Sequence, residues 1–199
     1  MTLAANLAML ARRVVGLSAG NLVALDGLGK LPAVDGSQLV NLSSAAKYGT
    51  VVPLTGTAVD LTGIPVSAKK VGLFLSAASV TNTPHIIVQL GTADGIETSG
   101  YAGQGGLGYD YGAVLTNGLL AGWGGNAANW NHTDIEFRKA SGNRWVGRMS
   151  GGTSNGGSSG FGITSAGEKT LAGVLDRVRI TTVNGTDLLD AGTVTIWWE

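Results

Sequence analysis

Two carboxylates, Asp134 and Glu136, stand two residues apart in the segment DIEFRKA. Apolar Ile135 and Phe137 alternate with them, which predicts a strand whose carboxylates share one face about 7 Å apart. Paired carboxylates at that separation occur in glycoside hydrolases, where one acts as acid and the other as base or nucleophile. A solvated strand face beside Arg138 explains the same alternation without chemistry. The sequence favours this structural interpretation, so we expect no enzymatic activity.

Other candidates for catalysis or metal binding are weaker. Asp187 and Asp190 flank a predicted turn, where carboxylates usually bond the turn backbone. His85 precedes an apolar strand, and no His-x-His pair exists that would suggest a histidine-built metal site. The absence of cysteine excludes disulfides, thiol catalysis and iron–sulfur clusters. We expect no cofactor and no metal, although calcium held by loop carboxylates and carbonyls stays open.

The strongest candidate binding site lies in a glycine-rich region over residues 100–131, which concentrates tyrosine and tryptophan. Aromatic rings can pack on the C–H faces of sugars while amides and imidazoles bond sugar hydroxyls. The candidate glycan contacts are Tyr101, Tyr109, Tyr111, Trp123, Trp130, Asn131 and His132. The alternative is that these rings pack the region onto its own domain or onto a neighbouring subunit. Trp145 is predicted in the core, and Trp197 and Trp198 must face opposite sides of their strand.

Composition limits the classes of partner. Thirteen basic and thirteen acidic residues cancel, which argues against binding to nucleic acid or to an anionic membrane. No apolar run approaches the roughly 20 residues of a membrane span, so no membrane insertion is expected. Charged residues are only 13%, so a monomer would expose much uncharged surface. Burial of that surface against other copies of the chain would remedy this, and we therefore expect a homo-oligomer.

The N-terminal region predicts a coiled-coil-like helix, placed in a segment of residues 1–20. Its apolar residues follow a 4-3-4-3 spacing typical of two heptads: Leu3, Leu7, Leu10, Val14 and Leu17. A lone helix of this length is marginal in water, so the stripe needs a partner. That partner is either the same helix in other chains or the chain's own domain.

Residues 21–49 predict a shaft or neck segment with short repeats. Two Asp-Gly turns divide it into very short apolar pieces, and Leu22 and Leu25 recur as Leu39 and Leu42. Pieces this short cannot bury themselves, so we expect them to wind along an axis against other chains. A plain linker is the alternative.

Residues 50–199 predict an antiparallel β head. Strands are expected over 69–80, 85–91 and 193–199, and a hairpin crosses residues 141–143. DRVRITTV should place Val178 and Ile180 on one face and its arginines on the other, before an Asn-Gly turn. Residues 100–131 and 150–160 are expected to be long loops.

The segment LDGLGKLPAVDGSQLVNL resembles the short repeat that precedes the distal domain of many bacteriophage tail fibres. Three later segments resemble the head domains of those fibres: TGTAVDLTGIPVSAKKVGLFLSAASV, HIIVQLGTADGIETSGYAG and DRVRITTVNGTDLLDAGTVTIWWE. The resemblance covers about residues 21–199 and is weakest over 101–131. It implies a parallel homotrimer with a trimeric shaft and a jelly-roll-like antiparallel β-sandwich head at the tail-fibre tip.

We therefore expect a receptor-binding protein of a phage or prophage virion. It would attach to a bacterial surface polysaccharide or lipopolysaccharide by non-catalytic, multivalent adhesion, and would join other tail proteins through its N-terminal end. One alternative is a polysaccharide-degrading tail spike, which is normally longer and carries regular solenoid repeats. The other is a purely structural tail-tip component.

Overall fold

The computed structural model describes residues 45–107, 111–155 and 160–199. The predicted helix of residues 3–18 and the shaft up to residue 44 lie outside these ranges. Across the described residues the protein is mainly β with antiparallel sheets, as the sequence predicts, and contains no helix. Consequently, none of the residues in these three ranges belongs to a helix capable of crossing a membrane.

The described ranges contain thirteen strands. They are β1 (Lys47–Pro53), β2 (Ala58–Thr62), β3 (Lys70–Val80), β4 (Ile86–Thr92), β5 (Gly95–Ile96), β6 (Tyr101–Leu107), β7 (Tyr111–Leu115), β8 (Leu119–Gly122), β9 (Asn129–Ser141), β10 (Arg144–Asn155), β11 (Gly160–Thr170), β12 (Arg177–Thr182) and β13 (Leu189–Trp198).

Two antiparallel sheets share one hydrophobic core. The larger sheet has the order β1-β13-β3-β9-β10-β11-β6-β7, and the smaller has β2-β12-β4-β5 with β8 also paired to β4. Phe137 and Ile163 of the larger sheet and Val88 and Ile180 of the smaller sheet belong to the same buried cluster. Each sheet thus buries one face against the other, which is consistent with a β-sandwich.

Alternation within β12 follows the prediction. Val178 and Ile180 are fully buried, whereas Arg179 bonds Asp60 at the surface, with 2.6 Å between Nε and Oδ1. Thr181 lies on the arginine side but is buried, and its hydroxyl is satisfied there because it donates to the Thr57 carbonyl at 2.7 Å. The predicted Asn-Gly turn is confirmed, with Gly185 at a φ of 69° that favours glycine.

The predicted hairpin between β9 and β10 is also confirmed. The strands pair antiparallel from Ser141 and Arg144 outward, with a one-residue register shift at Arg144 and Trp145. Such a bulge moves every later pair by one residue. It is the reason that Asp134 lies opposite Ser150.

The prediction of two long loops is wrong. Strands β6, β7, β8 and the start of β9 occupy most of residues 100–131, and β10 and β11 leave only residues 156–159 of the second segment between them. Glycine in β6 makes room for packing, because a Cβ at Gly103 would lie 2.5 Å from Leu119 Cδ2. Strand β1 begins at Lys47, so the β-rich unit starts before the predicted head boundary at residue 50.

The pairing register defines two ends of the larger sheet. Lys47 lies opposite Trp198, and Lys70 lies opposite Arg138 at one end. Asn129 and Asn155 pair at the other end. The chain therefore enters the described unit at one end, and β9 begins, just before Trp130, at the other.

Candidate functional site

The outward side of β9 brings together two groups of candidates that the sequence treats separately. Trp130, His132 and Asp134 are exposed, and Glu136 is half-buried, whereas the residues between them are buried. Side chains two apart on a strand share a face. The aromatic and imidazole candidates therefore form one row with the carboxylate pair, along the outer surface of the larger sheet.

Cross-strand pairing adds partners that sequence analysis missed. Asp134 lies between Phe74 of β3 and Ser150 of β10, and Glu136 lies opposite Arg148. Directly opposed residues place their Cβ atoms about 5 Å apart. A hollow of about 240 Å³ opens here, lined partly by Asp134, Arg148 and Ser150.

We call this surface the β9 face. It consists of Phe74, Trp130, His132, Asp134, Glu136, Arg148 and Ser150. At about 3.3 Å per strand residue, it offers an exposed ring, a carboxylate, a hydroxyl and a guanidinium along a row of about 20 Å, which matches several units of an extended chain rather than one small ligand.

The charges of the β9 face are unevenly paired. Glu136 forms an ion pair with Arg138 and lies 3.7 Å from Arg148. The hydrogen bond from Arg138 lowers the pKa of Glu136 below its usual value, against the opposing effect of burial. Asp134 has no ion pair or side-chain hydrogen bond within the described ranges, so its oxygens can accept from a ligand.

This electrostatic pattern bears on the chemistry of the carboxylate pair. A glycosidase needs one carboxyl that keeps its proton near neutral pH, which requires a raised pKa. Glu136 has a lowered pKa and two arginine neighbours. The arrangement therefore suits an ion-paired binding surface better than an acid–base pair.

A strained bulge positions His132. Ala77 adopts a positive φ of 51°, which is uncommon for a residue with a side chain, beside a register shift in β3. Its N–H donates to His132 Nδ1 at 3.3 Å. The Nε2 atom has no hydrogen-bond partner in the part of the chain that the structure describes, and so faces ligand or solvent.

The two candidate tryptophans differ in role. Trp130 is 52% exposed. Trp123 is half-buried against the core, with its ring centroid 4.2 Å from that of His85. Its backbone N–H donates to Asn131 Oδ1 at 2.7 Å. Trp123 therefore mainly fixes the segment after β8, and only part of its ring can meet a ligand.

Tyr101 and Asn131 are structural residues, which corrects their prediction as glycan contacts. Tyr101 is 4% exposed, accepts the Leu90 N–H at 2.6 Å and donates to the Glu97 carbonyl at 2.8 Å. Burial raises the pKa of its hydroxyl. Asn131 is 1% exposed, and its side chain bonds two backbone groups. Both face the core because β6 and β9 alternate inward at these positions.

Tyr109 lies outside the described residues. The backbone of Tyr111 belongs to β7, at the margin of the larger sheet, and its side chain is not described. Among the candidate side chains that the structure describes, Trp130 and His132 are thus exposed and Trp123 is half-buried.

The predictions for three further tryptophans agree with the structure. Trp145 is 2% exposed in the core. Trp198 packs against the core, and Trp197 lies over Gly72 on the outward side, where a Cβ at Gly72 would be 2.1 Å from the indole. The prediction for Asp187 and Asp190 is wrong in detail: the Asp187 carboxylate accepts from the side-chain amides of Asn82 and Asn184 rather than from the turn backbone, and Asp190 belongs to β13. Within the described ranges no group of three potential ligands could hold a metal ion.

No protein-family model, curated protein or solved structure matches this chain. Its function must therefore be argued from the β9 face and from the sequence.

His85 makes the folding stability of the protein depend on pH. Its Nδ1 accepts the Gly124 N–H at 3.0 Å, and burial lowers the pKa of the ring. The unfolded chain takes up a proton near pH 6.5, whereas the folded chain keeps the ring neutral to lower pH. Stability contributed by this site is therefore present above about pH 6.5 and is lost as pH falls through the lowered pKa.

We expect His85→Gln to reduce the loss of thermal stability between about pH 7 and about pH 5, because glutamine keeps an acceptor but does not titrate. Melting curves of both proteins across this range measure the difference, since carboxylates titrate equally in both. Identical pH dependence would show that His85 does not couple protonation to folding.

Proposed function

We propose that this protein is the receptor-binding part of a phage or prophage tail fibre, and that it attaches the virion to a bacterial surface polysaccharide or lipopolysaccharide without cleaving it. The sequence resemblance over residues 21–199 supports the tail-fibre assignment. The composition of the β9 face carries the proposal of glycan binding.

The chemistry of the β9 face suits a sugar. The exposed indole of Trp130 offers an apolar platform for a pyranose C–H face. Asp134 can accept hydrogen bonds from sugar hydroxyls, and Ser150 can donate or accept. Arg148, whose side chain is 70% exposed, has spare donors. A few polar groups in line with an exposed ring can fix the orientation of an extended polysaccharide without a deep cavity.

The finer architecture belongs to the same proposal. A jelly-roll-like head would follow a short helix and a trimeric shaft, and the chain would form a homotrimer joined to other tail proteins by its N-terminal end. A shallow site of this kind binds weakly by itself. Three copies on one axis raise the effective affinity by multivalency rather than by new contacts.

The direct test measures binding of the full chain to immobilised polysaccharides and lipopolysaccharides purified from a panel of bacterial strains. For a strain that binds, Asp134→Ala should weaken binding about tenfold, because hydrogen bonds to a charged group contribute roughly 1.5–3 kcal/mol. The matched control is Asp94→Ala, which removes an exposed carboxylate from the turn between β4 and β5.

The outcomes separate the possibilities. Absence of binding to every strain would contradict the adhesion proposal and favour a structural tail-tip role. If Asp134→Ala and Asp94→Ala both bind the polysaccharide as well as the unchanged protein does, the glycan site lies elsewhere on the protein. Release of new reducing ends during incubation would identify a depolymerase and contradict non-catalytic adhesion.

A further inference from the structure

One end of the larger sheet collects basic side chains. Lys70 and Arg138 lie opposite each other in β3 and β9. A hollow of about 350 Å³ beside them is lined in part by Lys47, Lys69 and Lys70. The backbone N–H of Lys139 donates to the Lys69 carbonyl at 2.9 Å, which brings a further lysine to the same place. We call this surface the basic end, and its residues are Lys47, Lys69, Lys70, Arg138, Lys139 and Arg148.

Two glutamates neutralise part of this charge. Glu199 pairs with Lys70, with 2.7 Å between Oε2 and Nζ. Glu136 is shared by Arg138 and Arg148. Within the described ranges, the members of the basic end that form no ion pair are Lys47, Lys69 and Lys139. Positive charge is therefore in excess here, although the charges of the whole chain cancel.

The opposite end of the sheet carries the other sign. Asp187 accepts from Asn82 just beyond β3, with 2.6 Å between the side-chain atoms, and Asp190 lies near the start of β13. No lysine or arginine occurs in the described segments that form this end: 76–86, 122–131, 150–155 and 181–191. Separated charges of this kind create a potential along the surface. The β9 face runs along that potential, from the neutral ring of Trp130 to the basic end.

We propose that the polysaccharide bound by the β9 face is anionic, and that its carboxylate or phosphate groups lie on the basic end. This inference rests on the adhesion in the proposed function and names the class of glycan. From Trp130 to Arg138 the row covers about 26 Å of β9, at 3.3 Å per strand residue. One extended chain of several sugar units meets the ring and the basic end together.

Arg148 is the residue that selects the charged group. Its side chain is 70% exposed and lies 3.7 Å from Glu136, so most of its N–H donors are free for a ligand. A guanidinium recognises carboxylate and phosphate oxygens through paired donors. Asp134 repels the same groups, so the sugar beside it is uncharged. The order of Trp130, Asp134 and Arg148 therefore fixes the direction of the bound polymer.

The first test changes the ligand and leaves the protein intact. Each purified polysaccharide or lipopolysaccharide that binds the full chain is measured again after carboxyl reduction, which converts carboxylates into neutral alcohols, and after removal of phosphate with hydrofluoric acid. One treatment should weaken binding at least about tenfold, and the effective treatment distinguishes acidic sugars from phosphate. Unchanged affinity after both treatments would overturn the inference but leave the adhesion.

The second test removes charge from the protein. A variant with Arg148→Gln and Lys69→Gln should bind the native polysaccharide at least about tenfold more weakly, and the neutralised form as the unchanged protein does. The matched control combines Arg177→Gln with Arg179→Gln in β12, which removes the same charge from arginines already paired with aspartates. Equal losses in both variants would reflect net charge alone and overturn the inference.

Duplex DNA distinguishes a glycan site from a surface that holds any polyanion. At about 0.15 M salt the full chain should bind DNA at least about tenfold more weakly than the native polysaccharide. Equal affinity would overturn the assignment to a glycan. Absence of binding to every polysaccharide would remove the proposed function together with this inference, whereas binding without charge dependence would remove the inference alone.

Discussion

Replacing Trp130 with alanine is expected to weaken binding of surface polysaccharide about 10- to 30-fold, as for tryptophan hot spots in other interfaces. The ring is 52% exposed, so its loss should cost little folding stability. The same change should reduce adhesion of the whole protein to host cells more steeply, because several sites act together. Equilibrium binding to the polysaccharide and the melting temperature measure the two effects separately.

The backbone around Trp130 is held so that its ring points outward. On one side, Asn129 Nδ2 donates to the Gly124 carbonyl at 2.9 Å. On the other side, Asn131 is buried and bonds the backbone of Trp123 and Ala78. Fixing both neighbours lowers the entropy lost when a ligand orders the ring.

Phe161 provides the matched control for Trp130. It is 53% exposed and lies at the same end of the sheet. Its partner in β10 is Thr153, which also pairs with the inward-facing Asn131. Phe161 therefore belongs to the opposite side of the sheet, and Phe161→Ala should leave binding unchanged. Equal losses in both variants would indicate a general effect on the end of the sandwich rather than a ring contact at the β9 face.

The strands of the fold could be predicted only in part. Local patterns were sufficient for β3, β4, β12 and the β9–β10 hairpin, since each alternates or ends at a clear turn. They failed for β6 and β8, because glycine-rich sequence usually indicates a loop. Here the glycines are needed for packing, since leucines of β8 occupy the space above Gly103 and Gly105.

Only some residues of the candidate site could be predicted from the sequence. The shared face of Asp134 and Glu136 follows from alternation alone. Ser150 and Arg148 depend on the hairpin register, and the bulge at Arg144 shifts that register by one residue. Phe74 belongs to a strand far away in sequence, so only the assembled sheet brings it beside Asp134. Tyr101 and Asn131 were misjudged because composition cannot show which side of a strand is buried.

Replacing Asn131 with leucine is expected to destabilise the fold by about 2–4 kcal/mol, the largest stability effect among these predictions. The side chain is 1% exposed, accepts the Trp123 N–H at 2.7 Å and donates to the Ala78 carbonyl at 3.1 Å. Leucine fills similar space but leaves both backbone groups without their partner. The midpoint of urea denaturation, measured at one protein concentration, should fall accordingly.

His132 is the exposed neighbour of Asn131 and provides its control. We expect His132→Ala to change the free energy of unfolding by less than about 0.5 kcal/mol. Binding distinguishes the roles further. Affinity for the polysaccharide is compared at a temperature where Asn131→Leu is still folded. The affinity of Asn131→Leu should fall only to the extent that the segment around Trp130 becomes less well fixed. His132→Ala should instead lose affinity without losing stability. A stable Asn131→Leu protein with abolished binding would restore Asn131 as a direct contact and require the end of the sandwich to open when ligand binds.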